Sequence, residues 1–148
     1  MNGLLDHIRE PGLLAAPEYF NNASIIQESD GCGNLLEKIY EFYTGNEKTI
    51  ERIVNDENIH LNHMVFKEGE GFPEHYSNSN VYMIVARGTV SLSLAEHEAI
   101  EYERGSIINI PYNVKMNGMN KHGETLELFI VKAPNPKDYV PKKDEMKA

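Results

Sequence analysis

His75 is the residue around which chemistry could be built. It stands in GEGFPEHYSNSNVYMIVARG, Gly69 to Gly88, behind a Gly-Glu-Gly turn and ahead of a polar run, Ser77 to Asn80. An apolar β-type run, Val81 to Ala86, follows, and Gly88 closes the stretch. In a β-sandwich such a layout holds a histidine at the mouth of a cavity, with an apolar strand as the wall behind it. Imidazole titrates near neutrality, so it can serve there as general base, hydrogen-bonding group or metal ligand. If the alternation of a strand holds, Ser77, Val81, Met83 and Val85 share the face of His75. His60 and His63 are three apart, a spacing that puts two ligands on one face of a helix but on opposite faces of a strand. Their segment reads as strand, so one of them, His63 in preference to His60, should reach the cavity beside His75. His97 and His122 fall in turns and read as exposed. Cys32, the single cysteine, lies between two glycines and cannot form an intrachain disulfide.

The elements that must position these groups change character along the chain. Leu4, Leu5 and Ile8 suggest a helical turn stopped by Pro11-Gly12, and Pro17 to Gly33 reads as an arm. Asn34 to Gly45 has an N-cap, a Glu three residues on, and Leu35, Leu36, Ile39, Phe42 and Tyr43 at helical spacing. It predicts a short amphipathic helix. From Glu47 the period becomes two. Strands are expected at Thr49–Val54, Ile59–Phe66, Val81–Ala86, Thr89–Leu94, Ala99–Glu103, Ser106–Ile110 and Thr125–Lys132, with a polar hairpin loop at Asn117–Gly123. Short strands with close turns after a helical arm describe an all-β sandwich or barrel. The expected division is an arm with its helix over 1–45, a β-barrel over 46–136 and a flexible tail over 137–148.

Composition narrows the partners. The 148 residues carry 23 acidic and 14 basic side chains, a net charge of −9, which leaves no basic stripe for a phosphate backbone. Nucleic acid and anionic membrane are therefore not expected as partners. No apolar stretch approaches transmembrane length and the N-terminus lacks a basic signal-like region, so a cytoplasmic location is expected.

Two motifs make the chain resemble the cupin superfamily of small jelly-roll β-barrels. The first is a glycine, five residues, His-x-His, three or four residues, a Glu, six residues and a glycine. Gly69, His75, Ser77, Val81 and Gly88 occupy those places. The second is a glycine, five residues, Pro-x-Gly, two residues, a His, three residues and an Asn, matched here by Gly105, Pro111, Asn113, Met116 and Asn120. The resemblance implies a metal held by two histidines and a glutamate of the first motif and one histidine of the second. Only His75 fills such a slot; Ser77, Val81 and Met116 stand in the other three. The usual metal site is thus expected to be lost, and a divalent transition metal would require ligands rebuilt from elsewhere.

The expected site is a mostly apolar pocket lined by His75, Ser77, Val81, Met83, Met116 and His63, able to bind a small organic molecule. An enzymatic alternative resembles the superfamily's metal-free epimerases, with His75 as base and Tyr82 or Tyr112 as acid, although strand parity turns Tyr82 outward. A metal-dependent oxygenase or isomerase with rebuilt ligands is the other enzymatic form. The resemblance also implies pairing into homodimers.

Overall fold

Alternation along the strands builds two facing layers. The computed structural model describes residues 20–22, 25–27 and 36–144, and these are all-β apart from a 3₁₀ turn at Pro136–Asp138. The strands are β1 (Phe20–Asn22), β2 (Ile25–Gln27), β3 (Ile39–Tyr40), β4 (Thr49–Asn55), β5 (His60–Phe66) and β6 (Gly71–Tyr76). They continue as β7 (Val81–Arg87), β8 (Thr89–Leu94), β9 (Ile100–Glu103), β10 (Ile107–Ile110), β11 (Lys115–Met119) and β12 (Leu126–Lys132). One sheet has the order β1-β4-β5-β12-β7-β10, the other β6-β11-β8-β9, and β2-β3 forms a separate ribbon. Among the described strands of the larger sheet, only β1 runs parallel to its neighbour. From β5 onward the chain passes repeatedly between the two main sheets, the winding of a double-stranded β-helix.

The core lies between these sheets. In β12 the sequence LELFIVK sends Leu126, Leu128 and Ile130 inward. They meet Met64, Phe66, Met83 and Val85 from the same sheet, and Phe72, Val90, Leu92 and Met116 from the other. Turns at Gly69, Gly88 and Gly105 take positive φ values of 85°, 76° and 96°. Asn113, in the motif position of a glycine, does likewise at 63°, a conformation that asparagine tolerates better than most residues. Asn120, fully buried, donates from Nδ2 to the carbonyls of Phe66 and Glu124 at 3.1 and 2.8 Å, while its backbone pairs with Gly69 and Glu70. These residues bind the turns to the strands.

The seven expected strands are present within one residue at each end. Two expectations are corrected. No helix forms over residues 36–45; Ile39–Tyr40 pairs as strand, and the following residues run extended over the outer face of the larger sheet. There Phe42 packs edge-on against His63 and Phe129, at ring distances of 5.0 and 5.1 Å, and the Tyr43 N–H donates to Glu51 at 2.7 Å. Leu36, part of the helical stripe, is left 94% exposed. Helical spacing is a weak prior, and here tertiary contacts override it. The polar run expected as a loop from Asn117 begins instead as strand, because β11 sits between β6 and β8 and its backbone is paired on both sides. The turn expected near Leu4 and the Cys32 loop lie outside the described residues. No helix among the described residues is long and apolar enough to cross a membrane.

Candidate functional site

The C-terminal end of β6 brings His75 into the space between the sheets, 8% exposed and paired across to Met116 on β11. Its Nδ1 donates to the Pro73 carbonyl at 2.9 Å, so in the neutral ring Nε2 is the acceptor. The Phe72 ring meets the imidazole edge-to-face at 5.5 Å. Around His75 is a cavity of about 20 Å³, lined by Met64, Met83, Met116, Phe72, Ile130, Asn62 and Lys132. That is room for about one water molecule. Its three thioethers are the most adaptable walls a core can offer.

Of the residues expected here, His75, Met83 and Met116 come together, and three others do not line the cavity. Ser77 is buried beyond the end of β6, with its hydroxyl donating to the Pro111 carbonyl and accepting from the Val114 N–H at 2.8 Å. It borders a wider, open hollow of about 680 Å³ outside the sheets, where Tyr112 stacks on Tyr139 at 4.7 Å. Val81 packs into the apolar core. His63 faces away from the cavity. Its ring nitrogens lie 2.7 Å from Glu51 and 2.6 Å from Glu127 on the outer face of the larger sheet. The parity of β5, with Met64 and Phe66 in the core, assigns His60 and Asn62 to the inner face instead.

Sequence reasoning missed the polar part of this inner face. Asn62 is 1% exposed, and neither its Nδ2 nor its Oδ1 finds a partner among the described residues. Arg52 lies directly across from it on β4, and Lys132 follows Ile130, its partner on β12. Both cations are nearly buried, at 3% and 4% exposure, and His60 is fully buried in register with Lys132. The signal was available: each of these residues is an even step from a core residue on its own strand.

Known proteins share this frame. An uncharacterized protein of Methanocaldococcus jannaschii is 41% identical over 114 residues, which are 76% of this chain and 98% of its own. A crystal structure from the same organism, described as an RmlC-like cupin family protein with a double-stranded β-helix fold, superposes with a TM-score of 0.68. It is 43% identical and covers 70% of this chain and 95% of its own. The chain belongs to the cupin family. A cupin superfamily protein of Desulfitobacterium hafniense, at 11% identity, TM-score 0.54 and coverage of 63% of this chain and 83% of its own, shares the fold alone. No protein-family model matches the chain.

In this cupin the donor set does not fit the metal that the family implies. The slots beside His75 hold a hydroxyl engaged in two hydrogen bonds, an aliphatic side chain and a thioether. Borderline metals require three or more imidazole, thiolate or carboxylate ligands. Among the described residues no group of three His, Cys, Asp or Glu side chains is arranged to hold a metal ion. The His63 trio is no exception, because its two carboxylates meet opposite nitrogens of one ring and share no common point with it. Elemental analysis of protein purified without nickel resin should therefore find transition metal well below one per chain. His75→Ala is expected to change the unfolding free energy by less than about 2 kcal/mol, because a pocket group carries little of the packing. A larger loss in denaturant titration would make His75 a structural node.

Proposed function

We propose that this cupin binds a small organic molecule between its sheets, around His75 and Asn62, without the metal usual in its family. The observation that carries this reading is the Asn62 amide. A buried amide with neither donor nor acceptor satisfied costs about 1–3 kcal/mol, and such groups belong where a ligand completes them. The cavity as it stands holds about one water, so the ligand enters as the side chains of Met64, Met83 and Met116 rotate aside.

Asn62→Leu tests the reading. It keeps the side-chain size, removes the unsatisfied amide and is expected to stabilise the protein by about 1–3 kcal/mol in denaturant titration. Native mass spectrometry should show a small non-covalent adduct on the wild-type chain that this variant lacks. A loss of stability in the variant would give Asn62 a structural role and overturn the reading.

A second reading, proton abstraction by His75, is favoured by the Pro73 hydrogen bond, which leaves Nε2 as a base. Its acid would have to come from the ligand or from water. Tyr82 is 39% exposed on the outer side, Tyr112 stacks on Tyr139, and no tyrosine lines the cavity. With either reading we propose a cytoplasmic homodimer. Support for dimerisation comes from the exposed Leu36 and Phe42 on the segment covering the larger sheet, and sedimentation of the purified chain checks it.

A further inference from the structure

Resting on the pocket reading above, we propose that the ligand is a small carboxylate with a hydroxyl on the adjacent carbon, the 2-hydroxy acid class. The argument starts from what Asn62 lacks. Its Nδ2 needs an acceptor and its Oδ1 needs a donor, so the ligand must present both side by side. A carboxylate oxygen meets the first need and a neighbouring hydroxyl the second.

Charge then selects the ionised acid over its neutral amide. Arg52 is the direct cross-strand partner of Asn62, which places their Cβ atoms about 5 Å apart. Lys132 lines the cavity itself, one same-face step beyond Ile130, the partner of Asn62 on the other side. Three adjacent strands, β4, β5 and β12, thus put guanidinium, amide and ammonium on the same inner face, Lys132 one same-face step off the Arg52–Asn62 row. Both cations have other interactions in the fold, and an anion adds to these rather than replacing them. In a site this buried the added attraction is screened far less than at a surface. Guanidinium and ammonium donors form their stronger hydrogen bonds with a carboxylate. His75 faces the same cavity from the opposite sheet, its Nδ1 held by the Pro73 carbonyl.

The test is an NMR titration of the full chain, following the Asn62 side-chain amide, with glycolate, glycolamide and acetate at matched ionic strength. Glycolate is expected to shift those resonances saturably, and glycolamide and acetate to bind at least tenfold more weakly. Lys132→Met, checked for folding by circular dichroism, should abolish the preference for glycolate over glycolamide. Equal binding of glycolamide and glycolate would overturn the carboxylate assignment and leave the pocket reading standing. Equal binding of acetate and glycolate would overturn the hydroxyl. No saturable response to any of the three would overturn both this proposal and the pocket reading.

Discussion

Replacing His63 by alanine is expected to lower the unfolding free energy of this cupin by about 3–5 kcal/mol, although His63 is no part of the cavity. Its side chain is fully buried, between Glu51 and Glu127 carboxylates that are only 8% and 15% exposed. A neutral imidazole has one N–H, yet each ring nitrogen stands within 2.7 Å of a carboxylate oxygen. The ring therefore bridges the two carboxylates, one at each nitrogen. Alanine removes that bridge and leaves two mostly buried carboxylates beside an empty space, with the Tyr43 N–H on Glu51 and a 3.4 Å contact from Arg87 to Glu127 as what remains. It also removes the ring that Phe42 and Phe129 pack against, and so loosens the covering segment of residues 42–46. Denaturant titration should show the loss, and the melting temperature should fall by about 10 °C or more. Replacing Glu51, His63 and Glu127 together by leucine should recover much of the stability, because no carboxylate is then left buried. A loss below about 1 kcal/mol for the single variant would mean that the trio behaves as a solvated surface pair.

Gly88→Ala is expected to cost about 2–5 kcal/mol, from two separable causes. The positive φ of 76° puts an L-residue in the left-handed region, at about 1–2 kcal/mol. A Cβ there would also lie 2.4 Å from the Thr125 carbonyl oxygen, a backbone atom fixed at the start of β12, and such overpacking costs about 1–3 kcal/mol. Gly105→Ala separates the two, since its φ is 96° but a Cβ would meet nothing within 4 Å. It should show the backbone cost alone. Equal losses at the two positions in denaturant titration would rule out the collision at Gly88.

Much of the frame could be read from residue order, and the misreadings have local causes. Clean alternation in VSLSL and in LELFIVK gave β8 and β12 directly, because each shows one face to the core. The His63 assignment failed on β5, where HLNHMVF is covered on both faces and buried along almost its whole length. With Val65 as buried as Met64 and Phe66, hydrophobicity carries no parity. Only their joint membership of the inner core shows that Asn62 faces in and His63 faces out. KMNGM looks like a loop because strand formers are absent; it is a strand because two neighbours supply its hydrogen bonds.

Residue order by itself determined the cupin frame and the loss of its metal ligands. Both depend on local facts: which backbone positions must turn through positive φ, and which side chains occupy the ligand slots. Tertiary structure alone decided that Arg52, Asn62 and Lys132 share one inner face, and that His63 is held by two carboxylates on the outside. Those arrangements depend on the register between strands far apart in the chain, and a shift of one residue would reverse every face.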